Sequence, residues 1–248
     1  MQTLASWANI TLLDCDEGSL ACGTTGKGRM QEPEAIAESV YSAFTSKTMT
    51  GKKVVITAGP TIEKLDPVRY ISNFSTGKMG RALAQECRRR GAEVSLVMGQ
   101  MSAREMCAQA VEAFADADMA ILAAAVADYR PIEEAACKIK KQPDTDEMTL
   151  HLVENPDIAA MLGKMKKPHQ RLVGFALETD HEVEHAQCKL EKKNLDMVVL
   201  NSLRDEGAGF GYDTNKVTLL FRDGTQKNYP LLTKEAVARV ILDNINFS

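Results

Sequence analysis

The chain has 248 residues, of which 44% are hydrophobic and 26% are charged, and its formal net charge is −4. These values are ordinary for a globular protein, and the negative charge argues against a nucleic-acid binder that depends on bulk positive charge. Only 5% of the residues are aromatic, which disfavours a surface that stacks the bases of a single strand. No apolar run reaches the length of about 18 residues that a membrane-spanning helix needs, so we expect neither nucleic-acid nor membrane partners.

The cysteines and the N-terminal stretch bear on the compartment of the protein. The six cysteines are scattered without a C-x-x-C pair, which disfavours a zinc site and a disulfide framework. The N-terminal stretch has no basic residue before its apolar residues, which is untypical of a signal peptide. We therefore expect a cytoplasmic protein.

The first 45 residues are predicted to hold a strand, a glycine-rich loop and a helix. The strand covers residues 9–13 and the loop runs from residue 18 to residue 33. Pro33, followed by apolar residues at helical spacing, predicts a helix that extends to about residue 44. These elements are too few to enclose a core. The polar segment 46–52 is interpreted as a linker.

Strands and helices alternate after the linker. Such alternation predicts a parallel sheet with helices on both faces. An Asp-Gly pair at residues 223–224 predicts a β-hairpin that begins at residue 216. The predicted fold class is therefore α/β, a Rossmann-like parallel sheet followed by a C-terminal β-hairpin. The predicted strands are 54–58, 93–99, 119–127, 172–175 and 197–201, and the predicted helices are 80–90, 103–114, 182–193 and 235–244.

The long loop between residues 58 and 80 is the first candidate site. It follows a buried strand, at the edge of a parallel sheet where ligands bind, and it far exceeds the usual length of about 2–6 residues. It ends in STGKMG and leads into a helix, whose first N–H groups are free to hold a phosphate. Arg69, Asn73 and Lys78 in this loop suit an anion. The alternative interpretation is a capped helix whose glycines allow close packing.

Two standard phosphate-binding motifs are absent from this loop. A P-loop would need Ser or Thr after Gly77-Lys78, where Met79 stands, and Gly at position 72, where Ser72 stands. The dinucleotide motif G-x-G-x-x-G is missing as well. If the loop binds phosphate, it therefore does so neither as a P-loop nor as a dinucleotide-binding loop.

The end of the third predicted strand is the second candidate site. Its alanine-rich sequence allows the close approach of a ligand to the backbone, and Asp128 follows it with a carboxylate suited to ribose hydroxyls or a metal. A helix cap or a surface salt bridge is the alternative role for Asp128. Residues 154–158 form a turn into a helix that Asn155 or Asp157 can cap.

Lysines supply the remaining candidates. Lys138 begins the run KIKK, and such runs are usually solvated faces. Lys189 and Lys193 are four residues apart and share one face of a predicted helix, where lysines often serve solubility alone.

Six segments occur together in the order and spacing of one family. Together they resemble the bacterial phosphopantothenoylcysteine synthetases, the phosphopantothenate–cysteine ligases of coenzyme A biosynthesis. The resemblance extends from about residue 51 to residue 248. The segments are ITAGPTIEKLDPVRYISNFSTGKMG, AAAVADYRP, KIKK, ENPDI, VGFALET and KKNLDMVVLN.

The resemblance implies a ligase reaction in two steps. The carboxylate of 4'-phosphopantothenate attacks the α-phosphate of CTP, which gives an acyl-cytidylate and pyrophosphate. The amine of L-cysteine then displaces CMP and forms the amide. The family also implies Mg²⁺, whose ligands the sequence does not identify, and a homodimer whose sites are completed across the interface. The hairpin near residues 216–229 is a candidate contributor to that dimer, and the choice of CTP over ATP depends on the resemblance alone.

Roles for individual residues follow from the same resemblance. Asn73 would hold the acyl-cytidylate and act with Lys193 as a catalytic residue. Phe175 would form a wall of the base pocket, and Lys189 would lie with Lys193 on a mobile flap over the triphosphate. The implied substrate-binding residues are Arg69, Asn73, Gly77 and Lys78. The implied nucleotide-binding residues are Ala123, Ala124, Asp128, Lys138, Asn155, Pro156, Asp157, Ile158, Phe175, Lys189 and Lys193.

The N-terminal segment carries a second resemblance. ACGTTGKGRMQEPEAI is similar to the last segment of the flavin-dependent phosphopantothenoylcysteine decarboxylase, a flavodoxin-like domain that many bacteria fuse ahead of the ligase. Cys22 matches the proton donor of that family. We expect residues 1–45 to be a remnant of this domain that does not bind FMN, and residues 53–248 to be the ligase domain. A separate flavin decarboxylase is a candidate partner.

Two alternative functions belong to other classes. An NAD(P)-binding Rossmann oxidoreductase would suit the sheet, but the missing G-x-G-x-x-G motif speaks against it. A non-catalytic partner of a separate flavin decarboxylase is the second alternative. The retained Asn73, Asp128, Lys138, Lys189 and Lys193 speak against that function.

Overall fold

The computed structural model describes residues 7, 10–19, 23–141, 146–178, 181–202 and 207–247. The chain divides into two compact units, Met1–Thr48 and Met49–Ser248. The boundary between them falls inside the segment that the sequence analysis interprets as a linker. Nowhere in the described parts of the chain does a helix combine the length and apolar character that crossing a bilayer requires.

The first unit contains an antiparallel hairpin and one helix among its described residues. Strand β1 (Asp16–Ser19) pairs with β2 (Thr25–Arg29), and helix α1 spans Pro33–Phe44. Pro33 stands in the first turn of α1, where its missing N–H breaks no helical hydrogen bond. No residue of α1 is buried, so core packing contributes little to this helix.

Two predictions for the first unit are wrong. The part of the predicted strand that the structure describes, residues 10–13, forms no strand, and the predicted loop 18–33 contains β2. Gly23, between the two strands, has a φ of 80°, a conformation that glycine adopts without a steric penalty. Because the backbone alone makes the ladder hydrogen bonds, the sequence TGKGR forms a strand without any apolar alternation.

The second unit holds the remaining elements that the structure describes. Strands β3 to β8 are Lys53–Ala58, Glu63–Lys64, Tyr70–Ile71, Glu93–Met98, Met119–Leu122 and Tyr129–Pro131. Strands β9 to β15 are Leu152–Glu154, Arg171–Glu178, Met197–Ser202, Thr214–Asn215, Val217–Phe221, Gln226–Asn228 and Leu232–Thr233. Helices α2 to α6 are Lys78–Arg89, Ala103–Phe114, Ile158–Met165, Glu182–Lys192 and Lys234–Asp243.

A seven-stranded sheet lies at the centre of the second unit, in the order β14-β13-β11-β10-β7-β3-β6 over the described residues. The five strands from β11 to β6 are parallel, and the hairpin of β13 and β14 adds two antiparallel strands at one edge. The predicted α/β sheet and its C-terminal hairpin are therefore confirmed.

Helices cover both faces of the sheet, as predicted. Residues of α2 and α6 share one hydrophobic cluster with Val54 and Ile56 of β3. Residues of α3, α4 and α5 share a second cluster with Val55, which points to the opposite face. The alternation along β3 thus directs successive side chains into two separate cores.

Two element boundaries differ from the prediction in ways that matter for the site. The third predicted strand, 119–127, ends at Leu122, and the alanines after it bond to the β3 end, with the Ala125 N–H donating to the Gly59 carbonyl over 2.9 Å. Helix α2 begins at Lys78 rather than Gly80 because Gly77, with a φ of 72°, serves as its N-cap. Gly80 lies against β3, where an added Cβ would stand 2.2 Å from the Cβ of Ala58.

The buried Glu86 carboxylate holds Arg90, which ties α2 to α6, and its loss is expected to destabilise the fold. Glu86 is 3% exposed and accepts from Arg90 over 2.9 Å, and Arg90 also reaches the exposed Asp243 of α6 over 2.7 Å. Glu86→Ala should lower the free energy of unfolding by about 3–5 kcal/mol, because the Arg90 guanidinium loses its buried counter-ion and keeps only the exposed one. Urea denaturation measures this change. The exposed Glu112→Ala is the control, and a loss at Glu86 no larger than at Glu112 would contradict the prediction.

Candidate functional site

The carboxyl ends of the parallel strands meet at one edge of the sheet, and a cavity of about 540 Å³ lies there. We call it cavity A. Three segments line it: residues 124–129 after β7, the turn 154–159 before and into α4, and the last turns of α5 with Lys189 and Lys193. The position agrees with the general rule for ligands of open parallel sheets.

Two buried threonines hold the alanine-rich segment beside cavity A. Thr61 is 0% exposed, and its hydroxyl accepts from the Ala127 N–H over 2.9 Å, while its own N–H donates to Ala125. The Thr57 hydroxyl accepts from the Ala124 N–H over 3.4 Å. Small side chains leave this ordered backbone close to the cavity, so its peptide groups can approach a ligand.

The turn at residues 154–158 is fixed against the same segment. The Asn155 side chain donates to the Ala127 carbonyl over 2.9 Å, and its backbone N–H donates to the Asp128 carbonyl over 2.8 Å. Asp157 caps α4 by accepting from the Ala160 N–H over 3.0 Å. The predicted turn into a helix, capped by Asp157, is confirmed.

The two lysines of cavity A are paired with carboxylates. Lys193 donates to Asp157 over 2.9 Å, and Lys189 donates to Glu178 over 2.5 Å. Burial acts to raise the pKa of Asp157, but hydrogen bonds from the Ala160 N–H and the Lys193 ammonium outweigh it, and the pKa is lowered overall. An entering anion must therefore compete with a carboxylate for each of these lysines.

Close packing at the end of α5 sets the position of Lys193. The Asn194 side chain donates to the Gly163 carbonyl over 2.8 Å and accepts from Arg222 over 2.6 Å. A Cβ added at Gly163 would stand 1.9 Å from the Lys193 carbonyl oxygen. The close approach of α4 and α5 thus requires glycine, and it directs Lys193 towards Asp157.

A smaller cavity of about 140 Å³, cavity B, shares Ala124, Ala125 and Phe175 with cavity A. Gly77 and Lys78 line it at the start of α2, a helix whose first turn has no side-chain cap. The opposite wall includes Asn201, at the end of β11, and the loop that carries Phe210. Cavities A and B therefore adjoin each other, and the start of α2, with no side-chain cap, lies at cavity B.

Asn73 lies against the wall that the two cavities share. Its side chain donates to the Ala125 carbonyl over 2.5 Å and accepts from the Ser75 N–H over 3.1 Å. It also lines a third cavity, cavity C, of about 570 Å³, together with Tyr70, Phe74 and Arg81. Asn73 therefore stands between cavity C and the junction of cavities A and B.

Arg69 and Lys138 lie together, but neither lines cavity A or cavity B. The Arg69 guanidinium binds Asp66 over 2.5 Å and donates to the Ile139 carbonyl over 2.8 Å. The Asp66 carboxylate accepts from the Ile139 N–H over 3.1 Å. These bonds join the 63–71 hairpin to the KIKK segment, whose first residue, Lys138, is exposed.

The Asp66 carboxyl makes this junction sensitive to acid. The Arg69 guanidinium, helped by the Val68 and Ile139 N–H groups, outweighs the opposing effect of burial and holds the pKa of Asp66 far below its ordinary range. A carboxyl whose pKa is lowered in the folded state stabilises the fold above its unfolded pKa of about 3.9 and loses that contribution as the pH falls through the folded pKa.

We therefore expect Asp66→Asn to destabilise the protein most near neutral pH. The difference from the wild type should begin to shrink below about pH 4, because the unfolded chain takes up a proton at Asp66 while the folded chain keeps the carboxylate ionised. Urea denaturation from pH 7 to pH 3 measures the difference, with the exposed Asp116→Asn as the control. A difference that does not change with pH would contradict the assignment.

The structure adds residues that the sequence analysis passed over. Asn201, Asn215 and Lys234 line cavity B. The glycines of GAGFG, of which Gly207, Gly209 and Gly211 all have positive φ, were the signal for a tight functional loop here. Cys22, the predicted proton donor, lies outside the described residues. Among the residues that the structure covers, no group of three or more His, Cys, Asp or Glu could hold a metal ion.

Comparisons with known proteins agree with this architecture. The family model of the DNA/pantothenate metabolism flavoprotein C-terminal domain matches residues 49–247. The crystal structure of the C-terminal domain of the coenzyme A biosynthesis bifunctional protein CoaBC has 38% sequence identity and a TM-score of 0.64, and the match covers 80% of this chain and 95% of that domain.

Two curated relatives extend over most of this chain. CoaBC of Bacillus subtilis is 43% identical, and the match covers 94% of this chain and 61% of that protein. A protein of an unknown prokaryotic organism, named cysteine/cysteine sulfinic acid decarboxylase, is 49% identical over 94% of this chain and 70% of its own length. The chain thus spans about three fifths of the CoaBC relatives. It belongs to the DNA/pantothenate metabolism flavoprotein C-terminal domain family.

Proposed function

We propose that this chain is a phosphopantothenate–cysteine ligase that activates its substrate with CTP. The observation that carries the proposal is the joined pair of cavities A and B, with Asn73 bonded to the Ala125 carbonyl on their shared wall. The name and the 38% identity of the CoaBC C-terminal domain support the same activity. The preference for CTP comes from the sequence resemblance.

The adjoining cavities A and B suit a nucleotide in the following way. The base and ribose lie in cavity A, with Phe175 against the base and the Asp128 carboxylate towards the ribose hydroxyls. The α-phosphate lies in cavity A beside Lys193, and the other two phosphates extend towards cavity B and the start of α2, where free N–H groups favour anions. In this arrangement Lys193 exchanges Asp157 for a phosphate oxygen.

The first step forms an acyl-cytidylate. A carboxylate oxygen of 4'-phosphopantothenate attacks the α-phosphorus of CTP, the bond from that phosphorus to the bridging oxygen breaks, and pyrophosphate leaves with the electron pair. Charge develops on the phosphate oxygens, so ammonium and N–H groups that are already in place favour this step. The Lys193 ammonium and the first turn of α2 are such groups.

The second step forms the amide. The amine of L-cysteine attacks the acyl carbon, the bond from carbon to the CMP oxygen breaks, and CMP leaves with the electron pair. The proton that the attacking nitrogen loses passes to water. The side-chain amide of Asn73 lies where cavity C meets the nucleotide site. The acyl carbon of the intermediate would lie at the same place. The role of Asn73 is to hold the acyl-cytidylate for attack.

Mg²⁺ fits the nucleotide site as a partner of the phosphates. Asp128 offers a carboxylate oxygen in cavity A, and Mg²⁺ is usually held by one or two carboxylates together with substrate phosphates. When bound, it would neutralise charge on the phosphate oxygens.

We also propose that the working form is a homodimer. Tyr70 and Phe74, beside Asn73, are 58% and 90% exposed, and large exposed apolar side chains around a site are typical of an interface. Arg69 lines neither cavity A nor cavity B of its own chain, so in the proposed dimer the Arg69 of one copy would reach the substrate of the other. Light scattering in solution tests the dimer, and a monomer with full activity would contradict it.

A decarboxylase is the second candidate function, favoured by the name of the relative with 49% identity.

One experiment separates the ligase from the decarboxylase. The purified chain is incubated with 4'-phosphopantothenate, Mg²⁺ and either CTP or ATP, with and without L-cysteine. Pyrophosphate and amide product are measured together with CO₂ from cysteine or cysteine sulfinic acid. The ligase predicts amide only with cysteine and nucleotide, whereas CO₂ release without amide would overturn it.

A further inference from the structure

Lys234 is a buried cation that the proposed reaction does not yet use. It is the first residue of α6, it is 5% exposed, and it lines cavity B. Buried lysines are uncommon unless they have partners. The start of a helix also carries a partial positive charge, which disfavours a cation there.

The partners of Lys234 are carbonyl groups of one loop. Its ammonium donates to the Tyr212 carbonyl and, over 3.3 Å, to the Gly209 carbonyl, and its backbone N–H donates to the Asp213 carbonyl over 2.9 Å. These carbonyls belong to residues 209–213, the loop that carries Phe210 on the wall of cavity B. A single residue thus fixes this loop through both its side chain and its backbone.

Lys78 holds the same loop from the other side. Its ammonium donates to the Asp213 carboxylate over 2.6 Å and to the Gly211 carbonyl over 3.1 Å. Burial lowers the pKa of Lys234, and the nearby Lys78 ammonium lowers it further. The Asp213 carboxylate opposes these effects on the pKa of Lys234. It is one negative charge beside two ammonium groups that line one cavity, which leaves a net positive charge for an anion.

We propose that Lys234 is a positioning residue that holds loop 209–213 over cavity B and completes its positive lining for the pyrophosphate portion of the nucleotide. The identity of the anion rests on the proposed function. The loop bonds and the paired lysines of cavity B do not, since they are present in the structure whatever anion binds there. A neutral donor such as Gln could bond the same loop carbonyls. The charge of the two lysines is therefore what points to an anion.

Inorganic pyrophosphate is the probe for this proposal. Calorimetric titration compares the wild type with Lys234→Met, Lys234→Gln and Lys234→Arg, and Lys164→Met on the exposed face of α4 is the charge-matched control. We expect the Kd for pyrophosphate to rise about tenfold to hundredfold in the Met and Gln variants, the range of a lost charge-assisted hydrogen bond. Lys234→Arg should recover much of the affinity, and the control should bind as the wild type does.

Kinetics separates positioning from a general loss of structure. In the ligase assay, Lys234→Gln should raise the KM for CTP by about tenfold or more and change kcat by less than about threefold, because binding is lost and the chemical step is kept. Lys234→Gln retains a donor for the two carbonyls. An unchanged Kd and KM in a folded Gln variant would overturn the proposal while the ligase assignment stands.

Hydrogen exchange on the wild type keeps the proposal testable if the variants do not fold. Pyrophosphate should slow exchange at the amides of residues 207–216, and unchanged exchange there would overturn the proposal. A wild-type protein that binds pyrophosphate through Lys234 but forms no amide would instead contradict the proposed function alone.

Discussion

Asn73→Ala is expected to reduce amide formation by about 10²- to 10³-fold, the cost of losing one preorganised polar group in an active site. The Asn73 amide bonds to the Ala125 carbonyl over 2.5 Å and to the Ser75 N–H over 3.1 Å, so its position is fixed before substrate enters. The loss should appear mainly in kcat, while the affinity for CTP stays within about threefold, because Asn73 holds the intermediate rather than the nucleotide.

Two further variants help to interpret the result for Asn73→Ala. Asn73→Asp keeps the acceptor for the Ser75 N–H and removes the donor to Ala125, so it shows which half of the amide matters. Asn228→Ala, on the edge strand β14, is a matched control away from the cavities. Amide formation at the wild-type rate by a folded Asn73→Ala protein would remove Asn73 from the reaction.

Lys193→Ala is expected to slow the first step by about 10²-fold. The substitution removes the ammonium and also leaves the Asp157 carboxylate unpaired in cavity A, where it repels phosphate. Both effects occur together because Lys193 and Asp157 are bonded to each other over 2.9 Å. Pyrophosphate release without cysteine measures the first step by itself.

A double variant tests this explanation. Asn is as good a helix cap as Asp, so Asp157→Asn with Lys193→Ala should keep α4 intact and recover part of the lost rate. The control is Lys192→Ala, which changes the exposed residue next to Lys193. This variant should release pyrophosphate at the wild-type rate. A double variant slower than Lys193→Ala would contradict the repulsion, and equal loss at Lys192 would mean that net charge alone is measured.

The central fold could be predicted because its signals are local. Buried runs such as residues 54–58, and helices bounded by capping residues, depend on neighbours in the chain, and α3 has the predicted bounds 103–114. The end of β7 could not be predicted this way. The alanines at 123–127 are as apolar as a strand, but their hydrogen bonds go to the segment after β3, which is distant in sequence.

The candidate site could be predicted in part, but from the resemblance of its segments to one family rather than from local signals. Asp128, Asn155 and Lys193 were expected to share a site and do line cavity A. Lys138 was expected in the same site but does not line cavity A. Its segment is bound to Asp66 through the Ile139 N–H instead. Lys234 could not be singled out, since only the folded chain shows that this lysine is buried beside loop 209–213.

An isotope-transfer experiment tests the ligase mechanism most directly. Phosphopantothenate labelled with ¹⁸O in both carboxylate oxygens is incubated with CTP, Mg²⁺, cysteine and the purified chain, and the products are analysed by mass spectrometry. Attack of the carboxylate on the α-phosphate predicts one labelled oxygen in CMP and the other in the new amide. Label in pyrophosphate or inorganic phosphate, or amide formed with unlabelled CMP, would contradict the acyl-cytidylate.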